Sequence, residues 1–234
     1  MKVHELNEVA VLSWSGGKDS ALALYELIND PNYHVRALLT TITSGYDRIS
    51  MHGVRRALLE QQAATLGVPL KGFLIPQQAS NEAYESELEK VLEVFRREGV
   101  TNVAFGDLFL EEIEKYREEK LAKMGMKAIF PLWKVDTKQL ARSFIRLGFK
   151  AVVTCVDSEA LDKSSTGKLY DKDFLARLPA NVDPCGENGE FHTFVFDGPI
   201  FNTAVGFNVG EVILRDNRFY FCDLMPADDF HLPA

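Results

Sequence analysis

Residues 9–20 constrain the fold more than any other stretch. Val9-Ala10-Val11-Leu12-Ser13-Trp14 is a near-continuous apolar run that ends abruptly in Ser15-Gly16-Gly17-Lys18-Asp19-Ser20. A strand covered on both faces reads this way, because neither face needs polar residues. From Lys18 the pattern changes: Ala21, Leu22, Leu24, Tyr25 and Ile28 recur at helical spacing, and Asn29-Asp30-Pro31 stops the helix. Buried strand, glycine turn and helix in succession form the opening unit of a layered α/β fold.

The same rhythm continues. Apolar runs at 34–42, 70–75, 100–105 and 151–156 read as further strands. Helical patterns fill 52–66, 81–98, 108–124 and 136–147, with Gly67, Gly99 and Gly148 just past three of them. The expectation is an α/β protein with an open, doubly wound, mainly parallel five-stranded sheet of Rossmann-like type, the run at 151–156 being its fifth strand. Ligands of such sheets sit beyond the carboxyl ends of the strands, which singles out the loops after Trp14, Ile42, Phe105 and Val156. After about residue 160 the pattern becomes irregular, with short apolar stretches and a hairpin around Asp216-Asn217. Residues 1–160 therefore read as the phosphate-loop domain. Residues 161–234 read as a smaller C-terminal α+β part that binds substrate or acts as a lid.

Charge and cysteine content narrow the function. A net charge of −8 argues against a broadly basic nucleic-acid surface. The 3 cysteines, Cys155, Cys185 and Cys222, are odd in number and widely spaced, so neither a disulfide framework nor a zinc finger is expected. No apolar run approaches the roughly 18 residues of a membrane span. Met1-Lys2-Val3-His4-Glu5 lacks the apolar stretch of a signal peptide. The expected location is the cytosol, with no membrane partner.

The loop itself reads as a polyphosphate site. Gly16 and Gly17 let the backbone turn tightly and approach a ligand closely. Their N–H groups can form an anion nest, and the following helix points its positive end at the same place. Lys18 supplies charge; Ser15 and Ser20 supply hydroxyl donors. The glycine spacing is not that of the Walker loop, and Asp19 stands where that loop has serine or threonine. An acidic residue here suits Mg²⁺ held by Asp19 against the phosphates of ATP. The bland alternative, a turn capped by Ser15 and Asp19, leaves Lys18 unexplained.

A second cluster lies in the tail. Asp183-Pro184-Cys185-Gly186-Glu187-Asn188-Gly189-Glu190-Phe191-His192-Thr193 gathers glycines and polar residues before an apolar run. Glu187, Glu190 and His192 are candidates for proton transfer or for orienting an amine. From composition alone, a solvated glycine turn is an equal alternative.

Together these motifs carry a resemblance. SGGKDS in this position resembles the PP-loop of the N-type ATP pyrophosphatases, which bind ATP on a doubly wound sheet and release pyrophosphate. The tail GENGEFHT, with Ser50-Met51-His52-Gly53-Val54-Arg55, Phe105-Gly106-Asp107, Tyr116-Arg117 and Pro131-Leu132-Trp133, is similar to the diphthine–ammonia ligase family over about residues 9–225. The resemblance implies an ATP-dependent ligase that adenylates the carboxylate of diphthine, on translational elongation factor two, and lets ammonia displace AMP. It implies nucleotide contacts from Ser13, Leu39, Thr40, Gly106 and Asp107 besides the loop, with Lys18, Glu187, Glu190 and His192 in the chemistry. Glu187 and Asn188 would also meet the substrate. His52 and Arg55 would bind an acidic substrate beyond the second strand, although a histidine at a helix start is commonly just exposed. Arg117 would reach phosphate, or else pair with Glu114 one turn earlier. The alternatives are ATP cleavage for a different acceptor and a non-catalytic nucleotide sensor. Homo-oligomer formation stays open.

Overall fold

The computed structural model describes residues 7–45, 48–49, 53–77 and 79–227. In chain order the elements are β1 (Glu8–Ser13), α1 (Lys18–Asn29), β2 (Tyr33–Thr43), β3 (Arg48–Ile49), α2 (Arg56–Leu66), β4 (Leu70–Ile75), α3 (Asn81–Arg97), β5 (Asn102–Ala104), α4 (Glu111–Lys123) and β6 (Lys127–Ile129). Then follow α5 (Thr137–Arg146), β7 (Lys150–Asp157), a 3₁₀ turn at Lys163–Ser165, α6 (Lys172–Arg177), β8 (Phe191–Asp197), β9 (Phe207–Arg215) and β10 (Phe219–Pro226).

Strands β4, β2, β1, β5 and β6 lie side by side in parallel. β2 outruns β1, and its last two residues pair antiparallel with β3. The mainly parallel α/β sheet expected from the sequence is present, with its order reversing between β1 and β5. That switch point is where the phosphate loop emerges.

One strand is assigned differently from expectation. β7 is not the fifth parallel strand; it pairs antiparallel with β8 and β10 in a second sheet of order β8-β7-β10-β9. The fifth parallel place belongs to β6, only 3 residues long. The physical reason is that a continuous apolar run reports burial on both faces, not strand direction. β7 is buried from Ala151 to Asp157 because it sits inside the second sheet with both faces covered. The second sheet thus recruits residues on both sides of position 160. Its hairpin is as expected: Asp216 and Asn217 have φ of 51° and 50°, and the Arg218 N–H donates to the Arg215 carbonyl at 3.0 Å.

Side-chain alternation sorts the core into two layers. Val11, Ala37, Leu39, Val103 and Phe105 pack with Leu92 and Phe95 of α3 and Leu121 of α4. Leu12, Trp14 and Leu38 face the other way, onto α1, α2 and the second sheet. Aromatic rings join α5 to the second sheet: Phe144 lies 5.0 Å from Phe149 and 5.5 Å from Tyr170, and Tyr170 lies 5.9 Å from Phe191. Truncating the fully buried Phe144 to alanine would cost about 3–5 kcal/mol.

Helix ends are fixed locally. Ser80, Asp136 and Asp171 each accept a backbone N–H three residues on, at 3.2, 2.8 and 2.8 Å. α1 differs: its cap is Gly17, with no side chain to occupy the first-turn donors. Among the described residues no helix is long and apolar enough to cross a membrane, and Cys155, Cys185 and Cys222 are buried free thiols.

Candidate active site

The phosphate loop is held from behind by a residue the sequence reading passed over. Gln62 of α2 is fully buried. Its Nε2 donates to the Gly16 carbonyl at 3.0 Å and to the Val195 carbonyl at 2.5 Å, and its Oε1 accepts from Trp14 Nε1 at 3.0 Å. The Val195 N–H also donates to the Gly16 carbonyl, at 2.9 Å. Gly16 has φ of +76°, and a Cβ there would meet Gln62 Oε1 at 2.7 Å. With the Gly16 carbonyl turned toward Gln62 and β8, the planar trans peptide points the Gly17 N–H the opposite way. On that side Ser15 Oγ accepts from it at 3.3 Å and lies 3.3 Å from Ser20 Oγ, which donates to the Gly17 carbonyl.

Lys18 and Asp19 form a buried pair. Lys18 is 4% exposed, and its Nζ lies 2.8 Å from Asp19 Oδ2 and 5.5 Å from the Phe191 ring centre. The Lys18 N–H donates to Thr193 Oγ1 at 3.1 Å. Burial pulls the Lys18 ammonium down, and the Asp19 carboxylate outweighs it, so its pKa lies above the ordinary value. Burial pushes Asp19 up, against the pull of Lys18, with Asp183 adding to the rise. Asp19 Oδ1 is buried without a hydrogen-bond partner. An orphaned carboxylate oxygen beside an anion nest fits a Mg²⁺ ion shared with phosphate oxygens. Among the described residues no group of three possible metal ligands occurs, and Asp19 is the carboxylate that would hold the metal.

The loop after β5 closes one side. A Cβ on Gly106 would lie 3.0 Å from the Asp19 carbonyl carbon and 3.1 Å from the Ser20 nitrogen, so glycine lets the two segments meet without either giving way. Asp107 faces Arg117, with Nε–Oδ2 at 2.9 Å and a second contact at 3.1 Å. The guanidinium carbon lies 4.0 Å from the Phe105 ring centre. Arg117 therefore pairs with Asp107, not with Glu114.

The tail motif divides its carboxylates. Burial pushes Glu190 up, but the Asn188 amide and the N–H groups of Asp183 and Asn188 outweigh it and hold it below the usual range. Glu190 and Asn188 are thereby spent on folding their own loop. Glu187 instead accepts the Leu108 N–H at 3.1 Å and shares its surroundings with Lys18, Asp19 and Asp107. Burial pushes its carboxyl to about 7, with the Leu108 bond opposing. His192 lies on the opposite side of β8 from Thr193. It lines a separate cavity of about 700 Å³ with Cys155, Phe221 and Asp223, and burial holds its pKa at about 4.

Arg55 belongs beside that second cavity. Its Nε and Nη2 reach Asp223 at 3.0 and 2.6 Å, and Arg48 reaches the same carboxylate at 2.9 Å. His52 lies outside the described residues. Ser13, Leu39 and Phe105 line an apolar cavity of about 60 Å³ roofed by α3 and α4. Thr41 lines it too; the Thr40 side chain, by alternation, faces the other layer. Over this cavity Glu85 accepts from Tyr116 and Lys120.

One site thus gathers Ser15, Gly16, Gly17, Lys18, Asp19, Ser20, Gly106, Asp107, Arg117 and Glu187. Gln62 left one signal in the sequence: it falls on the buried stripe of Leu58, Leu59, Ala63 and Leu66, where a polar residue needs partners. Thr193 left none apart from its motif.

Comparison with known proteins follows the same division. Residues 7–128 match the diphthamide synthase N-terminal domain, and residues 136–222 match the diphthamide synthase C-terminal domain. The chain is similar to the diphthine–ammonia ligase of Mus musculus, 26% identical over 223 residues, covering 86% of this chain and 83% of that protein. The Homo sapiens ligase is 25% identical over 179 residues, 74% of this chain and 67% of that protein. The Schizosaccharomyces pombe ligase is 25% identical over 218 residues, which is 85% of this chain but only 36% of that longer protein.

Proposed function

Because the chain belongs to the diphthamide synthase family, we propose that it is an ATP-dependent amide ligase joining ammonia to the carboxylate of diphthine. What most supports this reading is the convergence of Lys18, Asp19 and Glu187, since Glu187 comes from the tail motif and the other two from the phosphate loop.

The reaction has two steps. A carboxylate oxygen attacks the α-phosphorus of ATP, the α–β bridge breaks and pyrophosphate leaves. Ammonia then adds to the acyl carbon, AMP leaves and one proton is lost. For the first step the loop N–H groups and the Lys18 ammonium hold the polyphosphate and take up charge as pyrophosphate departs. Asp19 would hold Mg²⁺, which when bound neutralises phosphate charge. The purine would lie by Ser13, Leu39 and Thr41. The cavity there, about 60 Å³, is smaller than the roughly 150 Å³ cavity that admits benzene, so entry of a purine would require α3 and α4 to part. For the second step Glu187 is poised near neutrality to take a proton from ammonium or the attacking amine. Glu190 and Asn188 act by shaping the loop that presents it. Arg117 positions Asp107 through their paired contacts. The protein substrate is elongation factor two carrying diphthine, met in the cytosol, where free thiols persist.

The test is product analysis with ATP, ammonium and a diphthine-bearing elongation factor. AMP and pyrophosphate are expected in step with amide formation. ADP and phosphate as products would overturn the assignment.

A further inference from the structure

The two edges of the second sheet are treated differently. β8 is covered by the phosphate loop through the Val195–Gly16 and Gln62–Val195 bonds. β9, 9 residues long, has no strand on its outer side among the described residues. It carries Val209, Ile213 and Leu214 at 54, 39 and 48% exposure. A bulge between Val209 and Val212 leaves Val212–Arg215 as the regular part of this edge, and free N–H and C=O groups on such an edge invite another strand.

The strand's own pattern says what fits there. The Arg215 carbonyl accepts from Arg218, so the peptide groups of Arg215 turn inward toward β10, and those of Ile213, opposite Phe221, do the same. By the two-residue period, the groups of Leu214 and Val212 point out from the edge. Glu211, Ile213 and Arg215 line one cavity and so share a face.

A second copy of this chain can meet that edge about a two-fold axis. An axis at Ile213 sets Val212 opposite Leu214 of the partner subunit, matching outward groups on both strands. It also stacks Ile213 on its counterpart and sets Glu211 opposite Arg215 of the partner subunit, twice by symmetry. An axis at Val212 satisfies the backbone equally well. It would set Glu211 against an isoleucine and Arg215 against a valine. Charge complementarity selects Ile213.

We infer that the chain dimerises through antiparallel β9–β9 pairing centred on Ile213, fusing two 4-stranded sheets into one continuous sheet. Light scattering after size exclusion, at micromolar concentration, tests it. The wild type should run at twice 26.3 kDa. Glu211→Arg and Arg215→Glu, each folded by thermal melting, should weaken the dimer about tenfold or more by opposing like charges. The double swap should restore it. A monomeric wild type overturns the inference and leaves the edge to the chain's own tail or to another protein. So does a dimer indifferent to the single changes, or a double swap that fails to restore it.

Discussion

The side-chain amide of Gln62 donates to the Gly16 carbonyl at 3.0 Å, beside the Val195 N–H at 2.9 Å, and the two together tie the phosphate loop to α2 and the second sheet. Gln62 also bonds Val195 and Trp14, so helix, loop and second sheet share a single buried group. Gln62→Leu keeps the volume and removes all three bonds. It leaves the Trp14 N–H and the Val195 carbonyl without this partner. The expected loss is about 2–5 kcal/mol. Urea unfolding measures it. Nucleotide affinity should fall as well, because only the Val195 N–H then holds the Gly16 carbonyl away from the ligand. A variant as stable and as tight-binding as the parent would show that the amide is not holding the loop.

Gly106 makes the second such joint. The atoms a Cβ would meet are backbone atoms of Asp19 and Ser20, which cannot swing aside as a side chain can. Gly106→Ala must push the loops apart, at about 1–3 kcal/mol. Since Asp19 is the displaced residue, the larger effect should be on Mg²⁺-dependent nucleotide binding. Calorimetric titration with and without Mg²⁺ reads this directly. Equal affinities for variant and parent would mean that Asp19 does not hold the ion.

His192 should be neutral throughout the physiological range. Burial holds its pKa at about 4, with Lys18 opposing its protonation. Its folded pKa is below the unfolded value of 6.5, so the unfolded chain binds more protons between the two. Stability present above about 6.5 is therefore lost as pH falls toward 4. Histidine NMR signals followed from pH 8 to 5 should show no titration of this ring. A midpoint near 6.5 would place the ring in solvent.

What the sequence made legible was local. The glycine pair, the lysine and the start of α1 lie within a few residues of one another, so spacing alone revealed them. The direction of β7 was not legible, because its apolar run would look the same between parallel or antiparallel neighbours. Lys18 meets Thr193 across 175 residues, and Glu187 meets Leu108 across 79. Pairings at such range follow from how the two sheets pack. Within GENGEFHT the same limit applied. Composition offered Glu187, Glu190 and His192 as equals, and only the hydrogen bonds distinguish a carboxylate that folds the loop from one that faces Lys18.

Glu187 joins stability to chemistry. Burial lifts its carboxyl to about 7, from an ordinary value of 4.5. Between those values the folded protein keeps a proton that the unfolded chain has released. Stability from this group is full below about 4.5 and declines as pH rises through 7. Glu187→Gln removes the decline, so above pH 7 the variant should be more stable than the parent by about 2 kcal/mol, the roughly 3 that the shift implies discounted for solvent screening of a partly exposed carboxyl, a gap that closes as pH drops toward 4.5. Amide formation should move the other way. If Glu187 takes the proton, the parent's rate relative to the variant's climbs through about pH 7, while both bind nucleotide alike. Ammonium titrates well above this range and affects both proteins equally, so the ratio of their rates isolates the carboxylate. A ratio constant with pH, together with unchanged stability, would assign Glu187 a purely structural part in holding the Leu108 loop.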